Sequence, residues 1–194
     1  MRLILASASP RRADLLRSAG IPFEVCPVDV DETFHASERP EQAVARLAEA
    51  KARRCASNHP DSVVLGADTT VVVEGQALGK PVDPADAARM LRLLSGQTHE
   101  VLTGICLSWR GRQLVDVEST RVRMAQLTEP DVAWYVASGE PLDKAGGYAI
   151  QGLASRFIER IEGSYTNVVG LPVARVYGLL NELGCDILGN ETAP

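Results

Sequence analysis

Leu3-Ile4-Leu5-Ala6-Ser7-Ala8-Ser9-Pro10-Arg11-Arg12 is an apolar run that passes directly into a helix start. The apolar residues read as a buried strand. Ser9 stands at the N-cap position and Pro10 at the first helical residue, where a missing N–H costs nothing. The helix is expected to run to Ala19 and to stop at Gly20, a normal C′ residue. Arg11 and Arg12 are out of character at that end, because a helix N-terminus carries partial positive charge and prefers carboxylates. An external anion resolves the conflict. Free N–H groups, serine hydroxyls and guanidinium forks together suit phosphate. The motif by itself also fits a capped surface helix with solvated arginines.

Further along, Phe23 to Val30 reads as a strand ending in the acidic Asp29-Val30-Asp31-Glu32. Pro40 opens a long helix to about Asn58. Val63 to Val73 is an apolar, β-branched run closed by the turn signal Glu74-Gly75. Asp83-Pro84 caps a helix that places Ala87, Met90, Leu91 and Leu94 on one face. Two strands, Glu100 to Trp109 and Gln113 to Gln126, flank the turn Arg110-Gly111. Thr128-Glu129-Pro130-Asp131 resembles a capping box for a helix ending near Gly139. Phe157 to Ile161 and Val168-Val169 are short strand candidates, and Leu171 to Leu183 is the last helix. Strands and helices mix around a central hairpin, so the expected fold is α/β with a mixed sheet and flanking helices.

The 194 residues suit one domain, 1–194. Hydrophobic residues make up 45% and charged residues 23%, the composition of a soluble globular protein. A net charge of −5 argues against a non-specific nucleic-acid binder. A basic pocket inside an acidic protein points instead to a small anion. Met1 leads straight into the first strand and no apolar run reaches membrane-spanning length, so a cytoplasmic protein with no signal peptide and no membrane partner is expected. The four cysteines, Cys26, Cys55, Cys106 and Cys185, form no CxxC pair and read as reduced core residues. The three histidines, His35, His59 and His99, share no ligand spacing.

Several charged residues are out of place. Asp68 lies inside the apolar run Val63–Val73. An unpaired buried carboxylate costs several kcal/mol, so either a metal, a partner charge or a catalytic role compensates, or Asp68 is a solvated aspartate at a strand end. Lys51 falls on the apolar stripe Val44, Leu47, Ala48, Ala52 and Cys55. Snorkelling is the ordinary explanation for such a lysine. Lys80, between Gly79 and Pro81, fails as part of a P-loop, because Pro81 stands where Ser or Thr would hold magnesium. It remains a candidate phosphate contact in a rigid turn, and by itself fits a surface turn lysine equally well. Asp29, Asp31 and Glu32, together with Asp68, offer the oxygen donors that a hard cation such as Mg²⁺ prefers.

Together these segments resemble the Maf family of nucleoside triphosphate pyrophosphatases. The stretches that carry the likeness are 3–12, Gly66-Ala67-Asp68-Thr69, Gly79-Lys80-Pro81, Asp143-Lys144-Ala145-Gly146-Gly147-Tyr148-Ala149-Ile150-Gln151-Gly152, Gly163-Ser164-Tyr165 and Val168-Val169-Gly170-Leu171-Pro172. The resemblance implies an elongated α/β fold like that of inosine triphosphate pyrophosphatases, with a cleft between two lobes. It implies cleavage between the α- and β-phosphates, releasing a nucleoside monophosphate and pyrophosphate with the help of Mg²⁺ or Mn²⁺. Ser7, Ser9 and Arg12 would then bind phosphate, Lys51 and Lys80 would neutralise the triphosphate, and Glu32 and Asp68 would hold the metal. Asp68 resembles the family's proton acceptor for the attacking water. Removing Arg12 or Lys80 is accordingly expected to cost activity rather than the fold. A homodimer is a further expectation from the family.

Two branches of that family differ at three positions, and Arg11, Thr69 and Gln151 resemble the branch acting on dTTP and UTP, a house-cleaning role in the nucleotide pool. The branch acting on 7-methyl-GTP carries an aromatic residue, Gln and Glu there. Ala154-Ser155 departs from relatives that often place another glycine after Gly152-Leu153. The rival expectations are 7-methyl-GTP as substrate and a septum-formation regulator that acts by binding.

Overall fold

The structure is a computed structural model that describes residues 2–35 and 37–185. Met1 and residues 186–194 of the expected 1–194 domain lie outside the described residues. The strands are β1 (Leu3–Leu5), β2 (Glu24–Val25), β3 (Val63–Val73), β4 (Gln76–Leu78), β5 (Thr98–Trp109), β6 (Arg112–Met124) and β7 (Ile158–Glu162). The helices are α1 (Pro10–Ser18), α2 (Pro40–Ala56), α3 (Pro84–Leu94), α4 (Glu129–Ala137), α5 (Tyr165–Val169) and α6 (Val173–Glu182).

Among the described residues the strands form one seven-stranded sheet in the order β2-β1-β3-β5-β6-β7, with β4 paired to β3. β1 runs parallel to both β2 and β3, whereas β4 on β3 and β7 on β6 are antiparallel. The sheet is therefore mixed, as the alternation of elements implies. Each parallel link needs a crossover, and α1 and α2 supply them.

Contacts group the chain into two compact units. The first comprises residues up to Asp68, Thr103–Glu118 and those from Gly170 on; the second comprises Thr69–Leu102 and Ser119–Val169. In the first, Ile4, Ala6, Ala48, Ala52, Val64 and Cys106 pack into one apolar cluster. In the second, α3 buries Ala87, Met90, Leu91 and Leu94, the face that its sequence periodicity marks. Asp83 caps that helix by accepting from the Asp86 N–H at 2.7 Å. Thr128 and Asp131 form the expected capping box on α4.

Several local expectations are corrected. Phe23 to Val30 does not form a full strand: only Glu24 and Val25 pair, and both are exposed. A strand with little to bury ends where its neighbour β1 ends. Val168-Val169 is not a strand but the end of α5. The β-branched pair is overruled by Ser164, whose hydroxyl accepts from the Asn167 N–H at 3.3 Å and opens a helix. The Ser9 hydroxyl makes no cap hydrogen bond. β4 is an additional three-residue strand, returned onto β3 by a turn with positive φ at Glu74 and Gly75.

Candidate active site

β1 ends at Leu5, and the Ala6 N–H still donates to Leu65 of β3 at 2.8 Å. The chain then turns into α1 through Ser7. The Ser7 hydroxyl accepts from the Ser9 N–H at 3.2 Å and from the Arg12 guanidinium at 3.1 Å. Arg12 is buried, and its guanidinium also donates to the Gly170 carbonyl at 2.8 Å and the Ala67 carbonyl at 3.0 Å. The resulting bracket joins the start of α1, the middle of β3 and the chain before α6. Burial pulls the Arg12 pKa down, and the Asp68 and Glu32 carboxylates oppose that pull. The first turn of α1 holds no acidic residue, which leaves its N-terminal partial charge uncompensated from within the helix. Arg11, beside Arg12, is half-buried.

Lys51 and Asp68 meet one residue beyond the Ala67 carbonyl. The Lys51 ammonium donates to Asp68 Oδ1 at 2.6 Å and lies 2.6 Å from Glu32 Oε1. Lys51 does not snorkel. Its side chain is 8% exposed and that of Asp68 12%, whereas Glu32 is 53% exposed. Their approach depends on Gly66. A Cβ there would come within 2.2 Å of the Ala48 carbonyl and 2.7 Å of the Ala52 N, both backbone atoms of α2. Only glycine lets the helix settle this close to β3.

Of the three acidic residues after β2, the structure joins Glu32 to Lys51. Asp31 instead accepts from the Thr33 N–H at 2.9 Å, and those hydrogen bonds hold its carboxyl below the usual range. Arg46 of α2 donates to the Thr33 carbonyl at 3.1 Å and to both Glu38 oxygens, at 2.7 and 2.8 Å. The segment that carries Glu32 is thereby fastened to the helix that carries Lys51.

Two carboxylates converging on one cationic nitrogen form an oxygen donor set suited to a hard divalent ion. The ammonium marks the point at which both negative charges are satisfied. Glu32 and Asp68 therefore fit the metal that the sequence implies.

Thr69, Lys80 and Gln151 belong to the second unit. Thr69 is half-buried; Lys80 and Gln151 are exposed. The loop bearing Gln151 is held by residues that sequence reasoning missed. Glu140 accepts from the Tyr135 hydroxyl at 2.8 Å, the Leu153 N–H at 3.1 Å and the Ala154 N–H at 3.4 Å. The Tyr135 hydroxyl in turn accepts from the Ala149 N–H at 3.2 Å. Residues on both sides of Gln151 are thus tied to one Tyr–Glu pair. Gly152 lies at φ +147, and a Cβ there would meet Glu140 Oε2 at 2.5 Å. Glycine is required by backbone and space alike. No spacing rule links Glu140 to position 151, and the sequence carries no signal for the pairing.

Comparison with known proteins follows the same lines. Residues 2–183 match the family described as Maf-like protein. A dTTP/UTP pyrophosphatase of Koribacter versatilis is 53% identical over 184 residues, covering 95% of each chain. Another protein of that name, from Symbiobacterium thermophilum, is 50% identical over 186 residues and 96% of each chain. The Staphylococcus aureus Ham1 protein superposes with a TM-score of 0.53 across 94% of this chain and 100% of its own. At 13% identity that likeness shows the fold alone.

Proposed function

The chain belongs to the Maf family, and from that premise we propose that it hydrolyses dTTP and UTP to the nucleoside monophosphate and pyrophosphate. The observation that carries the reading is the meeting of Glu32 and Asp68 at the Lys51 ammonium, 2.6 Å from each. Water adds across the α–β phosphoanhydride bond, and the bridging oxygen departs with pyrophosphate. Asp68 takes the proton that water gives up. It is the carboxylate held most firmly, between the sheet backbone and Lys51. Ser7, Ser9 and Arg12 at the start of α1 receive phosphate oxygens, and Lys51 and Lys80 offset the charge of the triphosphate. Glu32 and Asp68 hold Mg²⁺ or Mn²⁺, which supplies further positive charge against the phosphates. Phosphoryl chemistry needs mainly such positioning and charge neutralisation.

Arg11, Thr69 and Gln151 set the base preference. The Gln151 amide offers a donor and an acceptor, as a pyrimidine edge requires. The substrate is a free nucleotide of the cytoplasmic pool rather than a nucleic acid, in keeping with a net charge of −5. No helix among the described residues is long and apolar enough to cross a membrane. A panel of nucleoside triphosphates, assayed with Mg²⁺ and with Mn²⁺ and resolved by chromatography, tests the reading. Pyrophosphate and monophosphate from dTTP and UTP are expected. Diphosphate with inorganic phosphate would overturn the reaction, and faster turnover of 7-methyl-GTP would overturn the base preference.

A further inference from the structure

Cys26, Cys55 and His59 each bring one donor atom into a cluster whose members all lie within 4.8 Å of one another. None of the three takes part in the chemistry above. Cys55 sits in the last turn of α2 and is 1% exposed. His59 follows four residues later, in a turn closed by the Asn58 N–H on the Cys55 carbonyl at 3.1 Å and the His59 N–H on the Ala56 carbonyl at 3.0 Å. The Ser62 N–H donates to the His59 carbonyl at 3.1 Å and fixes the far side of that turn. Cys26 comes from the other direction: it follows β2, and its N–H donates to the Leu5 carbonyl of β1 at 3.0 Å. Two segments remote in sequence are thus fixed by backbone hydrogen bonds so that two thiols and an imidazole share one point.

We propose that Cys26, Cys55 and His59 form a binding site for a zinc-type transition-metal ion, with a water as fourth ligand. Two sulfurs and one nitrogen are the donors that Zn²⁺ prefers; Mg²⁺ and Ca²⁺ take oxygen. Bonds of about 2.3 Å to sulfur and about 2.0 Å to nitrogen put tetrahedral donors roughly 3.5–3.8 Å apart, so the cluster closes on one ion with a contraction of about 1 Å. Binding displaces one proton from each thiol to solvent and takes the imidazole neutral. The two thiolates then balance the two positive charges of the ion. A neutral centre suits the surroundings, because Cys55 packs among Ile4, Ala52, Val64 and Cys106, with Val28 and Ala56 beside them. Cys26 and His59 are half-buried, which leaves the ion a route in and the water a place. The bound ion ties the segment leading to Glu32 to the end of the helix that carries Lys51.

The test uses the full chain, loaded with Zn²⁺ and dialysed, beside Cys26→Ser, His59→Ala and Asp68→Asn. The first two variants alter half-buried side chains, and circular dichroism checks that they fold. One zinc per chain is expected in the wild type and in Asp68→Asn, which separates this site from the Glu32–Asp68 pair. Affinity should fall by roughly 100-fold or more in Cys26→Ser and His59→Ala. Cobalt in place of zinc should give thiolate-to-metal charge transfer and the visible bands of a tetrahedral ion. Equal zinc retention in all four proteins overturns the proposal. So does a cobalt spectrum without the thiolate band, or a Cys26–Cys55 disulfide that forms with no metal bound.

Discussion

The Lys51 ammonium lies 2.6 Å from the Asp68 carboxylate where both side chains are nearly buried, 8% and 12% exposed. Removing one partner of such a pair leaves the other as an uncompensated buried charge, at a cost of about 3–5 kcal/mol. Lys51→Ala should therefore melt roughly 10 °C or more below the wild type in metal-free buffer. Added Mg²⁺ should recover part of that loss, because a divalent ion then satisfies Asp68 and Glu32. Asp68→Asn should melt closer to the wild type, since Lys51 keeps Glu32 as its partner. Its turnover should fall by about 100-fold or more, for loss of a general base and a metal ligand together. Thermal unfolding with and without Mg²⁺, beside steady-state kinetics, separates the two effects. A wild-type melting curve for Lys51→Ala would show that the pair contributes nothing to stability.

Arg12, which the sequence offers as a phosphate ligand or as a solvated surface arginine, is buried among protein acceptors. Its guanidinium spans the Gly170 carbonyl, the Ala67 carbonyl and the Ser7 hydroxyl. Hydrogen bonds to a charged group contribute about 1.5–3 kcal/mol each, and buried carbonyls left unpaired add a further penalty. Arg12→Ala should lower stability by at least about 3 kcal/mol as well as reduce activity. Arg12→Lys should restore little, because a point charge cannot fork to three acceptors. Arg11→Ala, a change at a half-buried position of the same turn, should melt within a few degrees of the wild type. Urea titrations of the three variants decide; equal midpoints for Arg12→Ala and the wild type would return Arg12 to a purely ligand-binding role.

Which parts of this were legible in the sequence depends on range. The bounds of β3, the apolar face of α3 and the capping box at Thr128 follow from periodicity and capping within one element, and the structure keeps them. Asp68 was also legible, because a carboxylate in an apolar strand needs a partner. That the partner is Lys51 was not, since α2 must first lie against β3, and Gly66 permits it through contacts with Ala48 and Ala52. Glu140 was invisible for the same reason: its three hydrogen bonds reach residues 5, 13 and 14 positions away. Cys26, Cys55 and His59 read as unrelated residues until β1 and α2 fix where their backbones meet.

His99 provides a pH signature in the second unit. It is 1% exposed, its Nε2 lies 2.7 Å from the Tyr148 hydroxyl, and burial pushes its pKa from the ordinary 6.5 down to about 4. Between those values the unfolded chain binds a proton that the folded chain refuses. Stability should therefore rise with pH through that window and fall as pH drops from 6.5 to 4, by about 3 kcal/mol in total. Urea unfolding at steps across the window should give a slope near one proton per chain from this residue. His99→Phe should remove that part of the slope. An unchanged slope in His99→Phe would mean that other groups titrate there.

Glu140 should act on base recognition without touching the phosphates. Its carboxylate accepts from the Leu153 and Ala154 N–H groups and from the Tyr135 hydroxyl, which itself holds the Ala149 N–H. Gln151 lies within the span so fastened. In Glu140→Ala those donors lose their acceptor and the loop loses its fixed geometry, so KM for dTTP and UTP should rise by about tenfold, the equivalent of one net hydrogen bond. kcat should change less, because these hydrogen bonds of Glu140 involve neither Asp68 nor Lys51. Glu140→Gln retains one acceptor oxygen for three donors and should recover part of the loss. Gly152→Ala should resemble Glu140→Ala, since its Cβ would sit 2.5 Å from Glu140 Oε2 on a backbone at φ +147. A merely structural role predicts a lower melting temperature with KM unchanged; a positioning role predicts the KM shift in folded protein, together with weaker discrimination between UTP and purine nucleotides.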